Sequence, residues 1–477
     1  MPAGRLAARQ CPLKGDMMSR EIRLNAFAMN CVGHQSSGLW RHPRDASANF
    51  NDLGYWTSLG RTLERGKFDG LFLADVLGVY DVYGGSPDAA LRTATQVPVN
   101  DPLLLIPAIA QVTEHLGFGV TCALTFEQPY VFARRMSTLD HLTRGRVAWN
   151  IVTGYLESAS KGVGQAGQSS HDLRYDMADD FMEVVYKLWE GSWEDGAVVR
   201  DRARGIFTDP GKVHRVRHDG PHYQVDAIHL SEPSPQRTPV LYQAGASPRG
   251  RAFAARHAEC VFVAGNSPAQ LAPMVADLRA RAAAQGRDPR DLQIFALITL
   301  VPGRTMAEAE AKHAEYLSHV SVEGALTLVS GWTGIDLSTY DPDEPLRHVN
   351  NNAIQSALES LTRSDGDPTK VWTIRRIAEN AGIGGLAPVV VGDPAHIADT
   401  LQRWMAEADI DGFNLAYAVS PETFEDVVDL VVPELQRRGV YKREYQPGTL
   451  REKLHAGAGP RLPTSHHGAS HRWPSGG

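Results

Sequence analysis

Three polar residues mark three consecutive apolar segments: Asp75 closes Phe68–Ala74, Thr121 lies within Phe118–Leu124, and Asn150 interrupts Val147–Val152. Each segment is short, rich in branched or aromatic residues and bounded by glycine or polar residues, as buried strands are. One such polar residue means little, because a buried strand tolerates a hydrogen-bonded side chain. Three on neighbouring strands describe a ring of donors and acceptors at the carboxyl ends of parallel strands, where α/β folds place their chemistry. A flat heterocycle with many donors and acceptors would use such a ring.

A second group could hold an anion. The apolar run Pro239–Gln243 passes through Ala244-Gly245 into Ala246-Ser247-Pro248, the start of a helix. Free amides and the helix dipole favour a phosphate there, and Ser247 can add a hydroxyl donor; a simple helix cap is the plainer reading. His171 and Tyr175 stand four apart across another helix start, so they share a face and could hold the same anion from the opposite side. Taken alone, His171 reads as a capping or solvated histidine. A heterocycle ring and a phosphate site together point to flavin mononucleotide.

Other motifs weigh less. Gly162-Val163-Gly164-Gln165-Ala166-Gly167 matches GxGxxG, but it stands well beyond the preceding strand, so a flexible loop is expected rather than a dinucleotide turn. Gly245 to Gly250 fails as a nucleophile elbow because Arg249 occupies the second glycine position. His214, His218 and His222 are evenly spaced, but Gly220-Pro221 interrupts them and no carboxylate stands at a suitable spacing, so surface histidines are expected and no metal site. Cys11, Cys31, Cys122 and Cys260 form no CxxC, which excludes a zinc ribbon or disulfide framework.

The elements that must position these residues follow from periodicity. Eight strands are expected, beginning with Ile22–Met29, Phe68–Ala74, Phe118–Leu124 and Val147–Val152. Pro239–Gln243, Cys260–Ala264, Gln293–Leu300 and Gly412–Tyr417 complete them, with Val389–Val391 assigned to a connection. Helical spacing separates them: Leu53, Trp56, Leu59 and Leu63; a helix from Asp101-Pro102 through Leu116; others near 132–142, 172–190 and 422–437. Alternation of this kind predicts an α/β fold, a (β/α)8 barrel with large insertions near 192–236 and 320–385. Residues 1–20 read as a flexible leader, 21–445 as one domain, and 446–477, rich in Gly, Pro, Ser and His, as a tail expected to be disordered.

Composition bounds the partners. The 477 residues are 43% hydrophobic and 22% charged with a net charge of -7, which argues against a nucleic-acid or anionic-membrane binder. No apolar run is long enough to span a membrane and the N-terminus lacks a continuous apolar stretch, so a cytoplasmic location is expected.

Several ordered segments carry a resemblance. LNAFAMNCVGHQSSGLWRHP, FDGLFLADV, PVNDPLLL, LTRGRVAWNIVTG, HDLRYD, KLWEGSWEDGAV and QAGASPRGR resemble the bacterial luciferase-like flavin monooxygenases over roughly residues 21–455. The likeness is to the branch containing nitrilotriacetate, dibenzothiophene-sulfone and long-chain alkane monooxygenases, and most of all to the last. It implies a TIM barrel using reduced FMN from a separate NAD(P)H:FMN reductase, with O2 as co-substrate. It also implies a homodimer or higher homo-oligomer. Asp75, Thr121, His171, Tyr175 and the Ala246-Ser247 turn would then contact the flavin, and Asn150 would lie against its ring. Cys31 and His34 would line the active site, and Tyr80 and Tyr155 the substrate pocket. Tyr155 stands where a histidine is expected in the alkane enzyme, and Ala246 leaves Ser247 as the one hydroxyl donor of its turn.

The implied activity is insertion of one oxygen atom into an apolar substrate through a flavin hydroperoxide, most like terminal hydroxylation of a long-chain alkane. His34 is the expected proton donor or peroxide anchor, and the two insertions are expected to exclude water. Alternatives keep the fold and change the chemistry. The substrate could be a sulfone, halogenated aromatic, flavin ring or aminopolycarboxylate, the last needing cations such as Arg41, Arg44 and Arg134. A deazaflavin-dependent oxidoreductase, or a flavin-binding protein without catalysis, would also fit the barrel.

Overall fold

The computed structural model describes residues 20–343, 345, 371–455 and 457–473; the rest of the 320–385 insertion and the leader before Arg20 lie outside them. Eight parallel strands close on themselves: β1 Arg23–Met29, β2 Gly70–Ala74, β3 Gly117–Ala123, β4 Val147–Val152, β5 Val240–Gln243, β6 Cys260–Val263, β7 Gln293–Pro302 and β8 Gly412–Ala416. Each pairs with its neighbours in chain order except that β1 pairs β8 and closes the ring. The fold is a TIM barrel, and all eight expected strands are its staves.

Val389–Gly392 is also a strand, a correction to its assignment as a connection. It pairs with the outer end of β7, Thr299↔Val389 to Pro302↔Gly392, while β8 takes the inner part of the same long strand. β7 is long enough to serve both, so the extra strand lies outside the closed ring.

The helices cover the barrel with the faces their spacing predicts. In α1 (Leu53–Arg65), Asp52 caps Gly54 and the buried face carries Trp56, Leu59 and Leu63, whereas Leu53 stays 52% exposed. α2 (Pro129–Leu142) follows β3, α3 (His171–Tyr186) follows β4, α4 (Pro248–His257) follows β5 and α5 (Pro268–Ala284) follows β6. The single helix expected from Asp101 to Leu116 is instead a 3-10 turn, Pro102–Leu104, and a short helix, Ile106–Gln111. Pro107 has no amide to donate and crowds the turn before it, so a continuous helix cannot form.

Residues 192–236 fold as two hairpins, Val198–Asp201 with Ile206–Thr208 and Val216–Asp219 with Gln224–Ala227. Among the described residues no helix is long and apolar enough to cross a membrane.

The barrel's inside is a small aromatic core of Phe72, Tyr242, Phe262 and Phe295, sealed at the amino ends of the strands by Leu450 and Leu454. Gly119 admits it: a Cβ there would stand 2.6 Å from the Tyr242 ring. Those two leucines belong to the tail, whose described residues, 446–455 and 457–473, fold back against the barrel. Its helix α8 (Leu450–Leu454) opens on a complete capping box between Thr449 and Glu452. Fully buried Arg451 grips Glu259 through two nitrogens, at 2.6 and 2.9 Å, and donates to the Thr238, Pro239 and Pro460 carbonyls. The tail's composition is that of a loop; its few apolar residues are the ones the barrel floor needs.

Candidate active site

A cavity of about 320 Å³ opens at the carboxyl ends of the strands, at the small end of the usual range of ligand pockets, roughly 300–1,000 Å³. His34, Asp75, Tyr80, Thr121, Asn150, Tyr155 and Ala246 all line it. Phe27, Phe72 and Phe262 form an aromatic floor, with Phe72 5.1 Å from Phe27 and 4.5 Å from Phe262 between ring centres.

The polar ring forms because the register brings its members level. Thr121 pairs with Asn150 across β3 and β4, and Asn150 Nδ2 donates to Thr121 Oγ1 at 2.9 Å. The Asn150 carbonyl oxygen is buried without a partner, as is that of Asn414 on the opposite side of the lining. A buried, unmet acceptor costs about 1–3 kcal/mol, so these atoms fit a ligand that donates to them. Among the described residues Asp75 is the one carboxylate or cation lining the cavity; burial, with a smaller push from Asp101, raises its carboxyl to about 7. Among the described residues neither Arg nor Lys lines the cavity. Arg44 is paired to Glu315 and Glu422 and Arg41 to backbone carbonyls, so an aminopolycarboxylate finds no counter-charge there.

His34 is 97% removed from solvent, edge-on to Phe27 at 4.5 Å, and its Nδ1 has no partner. Burial lowers its pKa to about 3 although the Phe27 backbone partly opposes this. It is therefore a neutral imidazole at pH 7, which suits the expected peroxide anchor better than a proton donor. Cys31 is not in the lining. It is buried in a bridge to Val99, and burial pushes its thiol up, so it stays protonated.

His171, Tyr175 and Ser247 also lie outside the lining and gather beside it at the start of α4. Ser247 caps that helix, accepting from Gly250 at 3.0 Å, and its hydroxyl lies 3.3 Å from His171 Nε2. The Tyr175 hydroxyl sits over two glycines: a Cβ would stand 3.0 Å from it at Gly245 and 2.7 Å at Gly250. Arg249, held by Asp176 and Asp179, lies over the Tyr175 ring. The result is a helix N-terminus framed by a hydroxyl, an imidazole and a phenol, which suits a phosphate. The loop at Gly162 to Gly167 is open, with nothing near its glycines.

Over the cavity, the Tyr80 and Tyr155 hydroxyls are hydrogen-bonded to each other. Tyr80 also donates to Gln96 Oε1 at 3.0 Å, and Gln96 Nε2 donates to the His34 carbonyl at 2.8 Å. Trp332, at the end of helix α6 (Val322–Thr333), completes this wall. The second insertion thus reaches the mouth, but no residue of 192–236 lines the cavity. That insertion packs on α2 and α3 instead: His229 meets Ser137 at 2.9 Å, and His218 is held between Lys187 and Asp180 at 2.9 and 2.8 Å. The His218 side chain is consequently only 7% exposed, and His214 pairs with Glu194 at 2.7 Å.

Gln96, Trp332, Asn414 and the aromatic floor were not foreseen. Phe27, Phe72 and Phe262 lie on expected strands, so strand phase could have flagged them. Gln96 and Trp332 lie in connections whose placement no periodicity reveals.

The family model described as luciferase-like monooxygenase matches residues 27–412. The dimethyl-sulfide monooxygenase of Hyphomicrobium sulfonivorans is 54% identical over 455 residues, 95% of this chain and 94% of that protein. Its crystal structure superposes with a TM-score of 0.90, covering 95% of this chain and 96% of that one. The long-chain alkane monooxygenase of Geobacillus thermodenitrificans is 50% identical over 95% of this chain and 99% of its own length. A long-chain alkane monooxygenase structure has a TM-score of 0.87, covering 95% of this chain and all of that one. A riboflavin lyase solved with modified FMN and riboflavin has a TM-score of 0.86 at 38% identity, covering 95% of this chain and 100% of that one. With the barrel, the polar ring and matches of this extent, the chain belongs to the luciferase-like monooxygenase family and is a flavin-dependent monooxygenase.

Proposed function

We propose that this enzyme binds reduced FMN, supplied by a separate reductase, and transfers one atom of O2 to a small apolar sulfide, the other atom leaving as water. The observation that supports FMN best is the pairing of unmet buried acceptors over an aromatic floor with a framed helix N-terminus beside it. The isoalloxazine ring would lie on the polar ring, and its phosphate at Ser247, Tyr175 and His171. The related riboflavin lyase, solved with a modified FMN, supports the same choice.

When bound, reduced FMN supplies the activation of O2. The protein's own part is binding, orientation and dryness. Asn150, oriented by Thr121, would accept a hydrogen bond from the ring, and neutral His34 would hydrogen-bond the reacting oxygen without carrying charge. The Tyr80–Tyr155–Trp332 wall would exclude water, which shortens the life of reactive oxygen species on a flavin.

A sulfide is favoured over the long-chain alkane first expected for two reasons. The cavity must hold the flavin ring as well as substrate, and its outer wall is closed by bonded tyrosines. Sulfur is also far more readily oxidised by activated flavin than an unactivated C–H bond. The relative that acts on dimethyl sulfide, at 54% identity, points the same way. The alkane reading retains the aromatic floor and the 50% identical alkane enzyme in its favour.

The test couples the purified enzyme to an FMN reductase and NADH, in air and in parallel without oxygen, with dimethyl sulfide, a long-chain alkane and a sulfone offered separately. Oxidised product from the sulfide is expected. Product from the alkane alone would replace the sulfide reading, and turnover without oxygen would remove the monooxygenase assignment for a deazaflavin-type hydride transfer.

A further inference from the structure

The helices α3 and α4 carry the anion cradle at their amino ends. Near their other ends they meet the C-terminal tail, and there three metal-ligating side chains converge. Glu183, in α3, faces His467 and His471, which stand four residues apart on one short turn of 3-10 helix, His467–His471. His467 Nε2 is 2.5 Å from Glu183 Oε1, and His471 Nε2 is 3.1 Å from Glu183 Oε2. All three ligand atoms lie within 4.8 Å of one another.

Hydrogen bonding alone leaves this cluster unsatisfied. Arg256 Nη2 donates to Glu183 Oε1 at 3.1 Å and to His467 Nε2 at 3.0 Å. A ring nitrogen that accepts from Arg256 holds a lone pair and has no proton for Glu183. A ring nitrogen that donates to Glu183 cannot accept from Arg256. His471 Nε2 has a second defect: it faces the carboxylate, yet it is buried without a hydrogen bond. One divalent cation between the three would meet both imidazole lone pairs and the carboxylate.

Arg256 opposes a cation there, and it has somewhere to go. Its side chain is 37% exposed, and Asp179 already lies 3.9 Å from its other terminal nitrogen. Two neutral imidazoles and one carboxylate form a borderline ligand set that suits Zn²⁺ in tetrahedral geometry, with water in the fourth position. The ligand side chains are 17–31% exposed, so an ion and its water have access.

We propose that Glu183, His467 and His471 form a Zn²⁺ site that clips the C-terminal tail to α3, beside α4. Neither the regular His214, His218 and His222 series nor the flavin reading leads to it, and it stands whether or not either holds. Its role is structural. It fastens the segment that follows the barrel-sealing α8 to the helices that frame the phosphate.

The full-length enzyme, stripped with a chelator and then dialysed free of it, is titrated with Zn²⁺ alone by calorimetry, and its metal content is measured. One Zn²⁺ per chain is expected, with a rise in melting temperature. His471→Ala and Glu183→Gln should each weaken Zn²⁺ binding roughly tenfold or more. With Co²⁺ in place of zinc, the visible bands of a tetrahedral site should appear in the parent and disappear in His471→Ala. His471→Ala removes a ring that stacks on Tyr186 and faces Glu183, so circular dichroism checks that this variant and Glu183→Gln keep the parent fold. No Zn²⁺ bound by the parent, or binding and Co²⁺ bands unchanged in both variants, would overturn the proposal.

Discussion

Asn150 and Thr121 meet across the β3–β4 pair through one 2.9 Å hydrogen bond, which orients the Asn150 amide and leaves its carbonyl oxygen buried and unpaired in the cavity wall. In the proposed function that oxygen is a receptor for the flavin ring. Asn150→Leu keeps the volume and removes the acceptor, so reduced-FMN affinity should fall by about 1–2 kcal/mol while the unmet acceptor's cost to the free enzyme disappears. Thr121→Val frees the amide to rotate and should cost less. The double variant should lose less than the sum of the two, because both changes act on one oriented group. Flavin titration under anaerobic conditions measures all three. Additive losses would separate the two residues.

Asp75 gives the cavity a pH dependence. Its carboxyl is raised from 3.8 to about 7, chiefly by burial. Folded protein therefore binds more protons than unfolded protein between those values, and stability is lost as pH rises through that window. Asp75→Asn carries no such proton, so the variant's melting temperature should gain on the parent's steadily from about pH 4 to pH 7 and level off above. A constant difference across that range would show that Asp75 ionises normally. The same variant should also flatten any change in FMN affinity near pH 7.

His34 works in the opposite sense. Burial holds its pKa at about 3, so unfolding releases an imidazole that takes up a proton below its ordinary value of 6.5. Its contribution to stability is lost as pH falls from 6.5 towards 3, and His229, His257 and His455, each lowered to about 4 chiefly by desolvation, add to the effect. Urea midpoints measured from pH 7 to pH 4 should drop, and His34→Phe should drop less steeply. In catalysis, His34→Phe should reduce turnover with flavin affinity largely kept, and the parent's pH–rate profile should show no inflection from His34 near 6.5.

How far the chain could be read without its structure depends on what carried each reading. The barrel strands were legible because apolar runs of strand length alternate with helical spacing, and a closed parallel sheet is the common answer to that pattern. Asp75, Thr121 and Asn150 were legible because polar atoms in apolar strands need a reason. The disposition of the long connections was not. Trp332 and Gln96 reach the site from segments with no periodic face directed at it, while the 192–236 hairpins lie outside it altogether. Charge state was illegible for the same cause: His34 is neutral because of what surrounds it, and Phe27 approaches it from β1 and Tyr417 from just beyond β8. The tail's composition is that of a loop, and only the packing shows that Leu450, Arg451 and Leu454 bring its first part against the barrel floor.

Tyr80 and Tyr155 test the substrate assignment. Their bonded hydroxyls narrow the outer wall, so Tyr155→Ala should open it. The KM for dimethyl sulfide should rise, because a small substrate loses contact, and the KM for longer dialkyl sulfides should fall, by about 0.8 kcal/mol for each additional CH2 that becomes buried. Tyr155→Phe keeps the volume and removes the bond, so it should shift both constants much less. Parallel changes in the two substrates would mean that Tyr155 does not face substrate.

Arg451 ties the tail to the barrel floor, and the pair it makes can be broken in two ways with different outcomes. Its guanidinium meets both oxygens of Glu259, which also accepts from the Leu241 amide, and Arg451 holds the Glu259 carboxyl down at about 2 despite complete burial. Arg451→Met removes the partner and leaves a buried carboxylate, which should cost about 3–5 kcal/mol in urea unfolding at pH 7. Adding Glu259→Gln removes the uncompensated charge, so the double variant should recover a large part of that loss. The parent pair's contribution is present above the ordinary glutamate value of 4.5 and is lost as pH falls through 4.5 towards 2, so the gap between parent and Arg451→Met should narrow in acid. A double variant no more stable than Arg451→Met would place the cost in lost packing of α8 rather than in the stranded charge.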